Sequence, residues 1–287
     1  MDLDIVKWIQ TLRNPVFDWF FYIITQFGDQ YVFILLAVII YWTIDKKFAH
    51  KFVFTFMVSA IVNSGIKEIF KRPRPYLYPG VESEPHWNTT GYAFPSGHAQ
   101  AAGVIGYTAL YSAKKTGYKW MKYVGIAFLI LVPLSRVYLG QHFLSDVIVG
   151  TLLAFILAHY TFKLVDKMGD DEHIYTLMLA PLFIILMFFV KNHDLYIAAG
   201  GFVGFAAGYY LEKKYVSYEV KEKLWIQIVK VIFGLIIALV IKEGLKFVFP
   251  DTLLFDFFRY LMIGAWAALG APYVFKHGSR YLKKDVQ

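Results

Sequence analysis

Three stretches of this chain concentrate side chains able to do chemistry. Lys67 and Arg74 lie at the end of one apolar run, and Pro95-Ser96-Gly97-His98 opens another. Arg136 closes a third run, and His142 and Asp146 open the next. Lys67, Arg74 and Arg136 are three permanent cations, and an apolar pocket holds three cations only if an anion of about two charges neutralises them. Arginine offers a planar fork matched to phosphate oxygens, and lysine a point charge. Gly97 lets the backbone approach an anion closely, the N–H groups that follow point at it with the helix dipole, and Ser96 adds a hydroxyl donor. His142 and Asp146 stand four residues apart, on one helical face. A carboxylate that accepts from one imidazole nitrogen leaves the other free to attack. His98 is then available as general acid for the leaving oxygen. The set is complete for phosphoryl transfer without a metal. Singly, each signal is ordinary; a His-x3-Asp pair is usually structural. The combination carries the argument.

The elements that position these residues must be built from an unusually apolar chain. Of 287 residues, 58% are hydrophobic, 19% aromatic and only 17% charged, against about 25% charged in soluble domains. This composition cannot cover a globular surface, which excludes a soluble enzyme, a disordered chain and a disulfide scaffold and leaves a polytopic membrane protein. With no cysteine, thiolate metal sites, thiol nucleophiles and iron–sulfur clusters are excluded. The net charge of +8 would suggest nucleic acid for a soluble protein; here it reads as membrane orientation, and no nucleic-acid partner is expected. No cleavable signal peptide is expected, since no small-residue cleavage site follows an apolar run near the start.

A spanning helix needs about 20 mostly apolar residues. The pattern predicts an all-α, polytopic membrane helix bundle of about nine spans: 31–45, 50–70, 95–113, 120–140, 143–163, 174–190, 195–211, 225–245 and 253–275. The span at 95–113 is rich in small residues, which let helices approach closely. In the first 27 residues, Asp2, Asp4, Lys7 and Arg13 interrupt Leu3, Ile5, Val6, Trp8, Ile9 and Leu12, and Pro15 breaks the pattern. Two interfacial amphipathic helices fit there better than a tenth span. Lys46, Lys47 and Lys51, then Lys114 to Lys122, Lys163 and Lys167, Lys213 to Lys223, and Lys276 to Lys284 fall on one side if the spans alternate. That side should be cytoplasmic, which puts the N-terminus outside and the C-terminus inside. All three chemical stretches then meet at the external face. The glycines 200, 204 and 208 read as a helix-packing face.

Lys67-x6-Arg74-Pro75, Pro95-Ser96-Gly97-His98 and Ser135-Arg136-x5-His142-x3-Asp146 together resemble the three-part signature of the type-2 phosphatidic acid phosphatase superfamily. That superfamily includes lipid phosphate, undecaprenyl-diphosphate and sphingosine-phosphate phosphatases, glucose-6-phosphatase and the vanadium haloperoxidases. The resemblance implies an acid phosphatase/vanadium haloperoxidase-like core. It implies that His142 is the nucleophile, Asp146 its partner and His98 the proton donor. Lys67, Arg74, Ser96, Gly97 and Arg136 would bind the phosphoryl oxygens, with no metal and no cofactor. Arg72-Pro73 repeats the Arg-Pro pair two residues early; the family spacing selects Arg74 and leaves Arg72 as a rim or loop charge.

The expected organisation is an interfacial N-terminal segment (1–30), a phosphatase membrane core (31–165) and additional spans packed on it (166–287). The expected activity is hydrolysis of a lipid phosphate or polyprenyl diphosphate at the external face of the cell membrane, through a phosphohistidine. A lipid-linked phosphotransferase using the same intermediate and, less favoured, a phosphate-lipid transporter remain as alternatives. The partners are the bilayer and its phospholipid or prenyl substrate; oligomeric state is open. The loop after Arg74, with Glu82, Glu84, His86 and Trp87, is read either as a lid or as ordinary interfacial sequence. His193, Asp194, Lys242, Glu243, Asp256 and Arg259 in the tail are read as interfacial solvation in preference to a substrate-entrance wall.

Overall fold

The structure, a computed structural model, describes residues 1–84 and 89–284, with side chains through 278. His86, Trp87 and the side chains of Arg280, Lys283 and Lys284 lie outside the described residues. The described chain is all-α: α1 Asp2–Gln10, α2 Pro15–Gln26, α3 Gln30–Thr43, α4 Lys46–Phe70, α5 Gly97–Thr116, α6 Lys119–Tyr138, α7 Leu144–Met168, α8 Glu172–Phe189, α9 His193–Leu211, α10 Leu224–Val248, α11 Leu253–Ala265 and α12 Ala271–Lys284.

Local chemistry sets the helix boundaries. Asn14 caps α2 by accepting from the Val16 and Phe17 amides, with Pro15 in the first turn, where its missing N–H costs nothing. Ser96 caps α5 through the Ala99 amide, and Gly117, at φ +78°, ends it. Asn192 caps α9 through the Leu195 amide.

Among the described residues, six helical runs are long and apolar enough to cross a membrane: Lys46–Leu77, Lys119–Tyr138, Leu144–Met168, Glu172–Phe189, Leu224–Val248 and Leu253–Gly278. A seventh is reached if α2 and α3, bent by 46° at their junction, count as one. This is fewer than the nine expected. α3 has only 14 residues. α5 and α9 bury long runs of small residues inside the protein, Ala99 to Gly106 and Ala198 to Gly208. A helix sheathed by its neighbours needs little lipid-facing apolar surface. α2, expected as an interfacial helix, reaches spanning length only when joined to α3 across the bend.

The chain forms two compact units. The first comprises residues 1–35 and 58–162. In it, α5 lies close against α6 and α7: a Cβ at Gly106 would meet Leu129 at 2.6 Å, and one at Gly103 would meet the Ala154 Cβ at 2.7 Å. α2 stacks Phe21 on Tyr138 of α6, with ring centroids 4.3 Å apart. α1 is docked on protein along its apolar face: Val6 is fully buried with Ala99, Val137, Phe143 and Val147, flanked by Leu3 and Ile9.

The second unit comprises residues 36–57 and 163–287. Its seam is α9 on α11. A Cβ at Gly200 would come within 2.2 Å of the Phe257 carbonyl oxygen, and one at Gly204 within 2.0 Å of that of Leu261. These glycines are a packing face, as their spacing suggests. At one end, ion pairs join the start of α4, the end of α7, the start of α8 and the segment after α9. Lys46 holds both oxygens of Glu212, Lys213 those of Glu172, Lys47 meets Asp170 and Lys51 meets Asp166. Asp256 and Arg259 are buried and paired at 2.8 Å, with His193 Nδ1 on the other Asp256 oxygen at 2.8 Å. Asp256 and Arg259 are internal contacts of the unit and not solvated helix ends, whereas His193, at the start of α9, is exposed.

Candidate active site

The turn between α6 and α7 sets the site. Gly140 sits at φ +66°, a conformation that costs a side-chain-bearing residue free energy. A Cβ there would also strike the Glu82 carbonyl at 2.4 Å. The turn folds back so that the Gln141 and His142 amides both donate to the Arg136 carbonyl, at 3.0 and 3.2 Å. Asp146 then accepts the Phe143 amide at 2.8 Å through Oδ2, while its own carbonyl accepts the Ser96 amide at 3.1 Å. The starts of α5 and α7 are thereby locked together. Gly150 permits this, since a Cβ there would lie 2.7 Å from the Ser96 carbonyl oxygen.

His142 is fully buried, and its Nδ1 lies 2.8 Å from the Ala93 carbonyl. A carbonyl only accepts, so the proton is on Nδ1 and Nε2 carries the lone pair. Nε2 accepts from Arg74 Nη1 at 3.1 Å. The Asp146 carboxylate is farther, with Oδ2 3.6 Å from Nδ1. The hydrogen bond that fixes the tautomer is therefore a backbone carbonyl's; Asp146 supplies a nearby negative charge. Burial, followed by the charges of Arg74, Arg136 and Lys67, pushes the imidazole well below its ordinary range.

Arg74 is almost fully buried and held by oxygen dipoles: Gly91 at 2.9 Å, Thr90 at 2.8 Å, Tyr92 at 3.3 Å and Gln141 at 3.1 Å, all carbonyls. Arg136 donates to the Thr25 hydroxyl at 2.7 Å and the Thr89 hydroxyl at 2.8 Å, and Glu84 lies 3.5 Å away. Its Nε is buried without a hydrogen-bond partner among the described residues. Such an unsatisfied buried donor is costly. Lys67, in the last turn of α4, is near enough to act on His142 by its charge. The Ser96 hydroxyl oxygen is fully buried and engaged in capping, leaving its proton to donate. A Cβ at Gly97 would touch nothing within 4 Å, so protein packing does not require glycine there. His98 packs its Cβ against Gly28, 3.0 Å from where a Cβ would stand. The structure thus gathers Arg74, Arg136, His142, Asp146 and Ser96 around one turn. Arg74 bonds His142 directly, whereas no hydrogen bond joins His98 to His142.

Sequence reasoning missed several participants. Arg72, expected at the rim, donates Nη1 to Asp146 at 2.7 Å and to the Ser145 hydroxyl at 2.6 Å, and its guanidinium covers the Phe143 ring at 3.9 Å. The repeated Arg-Pro was the available signal, and the spacing rule discarded it. Asp2, Thr25, Glu84, Thr89 and Gln141 carry no local signature. The segment after Arg74 is tied down by Gln141, which accepts the Thr89 amide and donates to Ser83, and by Tyr76, which donates to the Thr89 carbonyl. A separate cleft of about 490 Å³, lined by Lys7, Gln10, Arg13, Asp18, Gly80 and Glu82 among others, runs beside α1, and none of the residues expected in the site lines it.

Residues 48–170 match the PAP2 superfamily, and residues 196–280 match the PAP2 superfamily phosphatase transmembrane extension. The chain belongs to the PAP2 superfamily. The Sphingosine-1-phosphate phosphatase 2 of Mus musculus is 26% identical over 195 residues, 64% of this chain and 54% of that protein. The Undecaprenyl-diphosphatase of Sulfolobus acidocaldarius is 32% identical over 45% of this chain and 62% of its own length. The chain thus spans between half and two thirds of these relatives. Among solved structures, a transmembrane PAP2 type phosphatidylglycerolphosphate phosphatase from Bacillus subtilis aligns with TM-score 0.50 and 25% identity, over 59% of this chain and 86% of that one. Aquifex aeolicus LpxE aligns with TM-score 0.50 and 26% identity, over 56% and 94%.

Proposed function

We propose that this PAP2 protein hydrolyses a lipid phosphate or a polyprenyl diphosphate through a phosphohistidine on His142. The observation that carries the reading is the Ala93 carbonyl on Nδ1, which leaves the Nε2 lone pair against Arg74. Nε2 attacks phosphorus, the bond to the lipid oxygen breaks, and His98 gives that oxygen a proton. Water then attacks the phosphohistidine, His98 takes its proton, and the N–P bond breaks to release phosphate. Lys67, Arg74 and Arg136, with the Ser96 hydroxyl and the amides after Gly97, neutralise the phosphoryl oxygens as charge shifts among them. Preorganised donors of this kind supply the largest single share of rate enhancement in many enzymes. With three cations in place, no metal is required. The printed names of the relatives, one acting on sphingosine phosphate and one on undecaprenyl diphosphate, support a single-chain or prenyl lipid as substrate.

The site faces outside in this reading, with the N-terminus outside and the C-terminus cytoplasmic. Support comes from α4 and α7. Each carries ion-paired lysines or their partners at one end (Lys46, Lys47 and Lys51; Asp166) and site residues at the other (Lys67; Asp146). A lysine-rich end is the cytoplasmic one.

The test is phosphate release by purified protein from phosphatidate, phosphatidylglycerophosphate, undecaprenyl diphosphate, sphingosine phosphate and a sugar phosphate. One lipid should dominate, chelators should leave the rate unchanged, vanadate should block it, and His142→Ala should lose at least ~10³-fold. Full turnover by His142→Ala would overturn the assignment. Transfer of the phosphoryl group to an added acceptor lipid in place of water would make the protein a phosphotransferase.

A further inference from the structure

The N-terminal helix reaches the site through a closed polar ring. The Asp2 carboxylate accepts from Arg72 Nη2 at 2.8 Å and from the Ser145 hydroxyl, with the Ser145 amide at 3.4 Å. Arg72 Nη1 passes on to Asp146 Oδ1 at 2.7 Å. The other Asp146 oxygen holds the Phe143 amide and faces His142. One guanidinium is thus shared between two carboxylates, one 144 residues from the other in sequence. α1 is not loosely placed. Val6 is fully buried among Ala99, Val137, Phe143 and Val147. The Gln10 amide donates to the Glu82 carbonyl at 2.8 Å and the Tyr138 carbonyl at 3.1 Å, while its oxygen accepts the Glu82 amide at 2.9 Å.

The charges in this ring matter for the proposed chemistry. Arg72 alone would cancel the negative charge of Asp146, the carboxylate beside His142. A second carboxylate on the same guanidinium restores a net charge of minus one to the group. When Nε2 forms its bond to phosphorus, the ring, still protonated on Nδ1, becomes cationic. A net negative neighbour stabilises that state and has little interaction with the neutral starting ring. The Asp2 carboxyl stays ionised: burial works to raise it, but hydrogen bonds from Ser145 and Arg72 hold it below the ordinary carboxylate range.

We infer that Asp2 is a positioning residue for turnover, holding Arg72 on Asp146 so that the carboxylate pair stabilises the His142 imidazolium, and that the N-terminal helix is therefore part of the catalytic apparatus. This rests on His142 being the nucleophile. The test compares full-length wild type, Asp2→Asn, Asp2→Glu, Arg72→Gln, the double variant Asp2→Asn/Arg72→Gln and His142→Ala on the best lipid substrate. Asp2→Asn should lower kcat about tenfold with KM within about twofold, because the lost interaction acts on the charged state and not on substrate binding. Asp2→Glu, which keeps the charge, should recover most of kcat. In the Arg72→Gln background, Asp2→Asn should add less than twofold, since the link it acts through is already gone. Rapid-quench measurement should find the phosphoenzyme forming more slowly in Asp2→Asn. Wild-type kcat in Asp2→Asn, or independent multiplicative effects in the double variant, would overturn the inference. If Asp2→Asn lowers Tm as well as kcat, Asp2→Glu decides: a Tm restored without kcat also overturns it. The nucleophile reading fails separately, by turnover in His142→Ala.

Discussion

The two units bury charge with different partners. In the second unit, three buried carboxylates sit against a full counter-charge: Glu212 under Lys46, Glu172 under Lys213, Asp256 against Arg259. Even Arg259, whose Nε and Nη2 have no hydrogen-bond partner, has its charge answered by Asp256. In the first unit, Arg74 is held by a ring of carbonyl dipoles and Arg136 by two threonine hydroxyls, with Glu84 only at 3.5 Å. Dipoles orient a cation without cancelling it. Burying charge is costly, and two guanidiniums oriented by carbonyl and hydroxyl dipoles suit a site that receives an anion. The second unit has the character of scaffold.

That contrast can be broken experimentally. The largest effect is expected in the first unit: Arg74→Gln should lower kcat/KM for the lipid phosphate by ~10²–10³-fold. Arg259→Gln, an equally buried arginine of the second unit, should stay within about twofold. A large activity loss in Arg259→Gln would erase the distinction. Next, Glu212→Gln should leave kcat unchanged while lowering stability by about 3 kcal/mol, because Lys46 loses its counter-charge; thermal unfolding in detergent reads this. Gly204→Ala sharpens the scaffold side further. Its Cβ would lie 2.0 Å from the Leu261 carbonyl oxygen, so α9 and α11 must separate, at about 1–3 kcal/mol, read as a lower Tm with unchanged KM. The smallest effect is spectroscopic. His142 is held well below the ordinary imidazole range by burial and three cations, so it should remain neutral at pH 6, where an unperturbed histidine is mostly charged. Nitrogen-15 shifts of labelled histidine, with His142→Ala for assignment, check this; an imidazolium signal from His142 at pH 6 would remove the electrostatic account of the site.

Much of the first unit was legible in advance. Apolar periodicity announces α4, α6 and α7, whereas the expected shared helical face of His142 and Asp146 does not form: His142 stands in the turn before α7 and only Asp146 is in the helix. Two further readings went astray for identifiable reasons. The nine expected spans are reduced to six or seven by length and apolarity, and α5 and α9, rich in small residues, are among those that fall short of that measure. Arg72 was set aside by a spacing rule that selects phosphate-binding positions and says nothing about residues that hold the carboxylate behind them. In the tail, Asp256 and Arg259 look like solvated helix-end charges until their burial is seen.

From the chain alone come the helical class, the membrane setting, and three polar clusters of the right types for phosphoryl transfer. These depend on composition and on spacings of three to seven residues, which local geometry converts directly into shared faces and turns. Tertiary structure alone decided that the Ala93 carbonyl, and not Asp146, accepts the hydrogen bond from His142 Nδ1, and that α1 docks Val6 among Ala99, Val137, Phe143 and Val147. It also brought a carboxylate at residue 2 to a guanidinium at residue 72. Such contacts close over tens to more than a hundred residues, and their free energy resides in burial and charge that no short stretch of sequence contains.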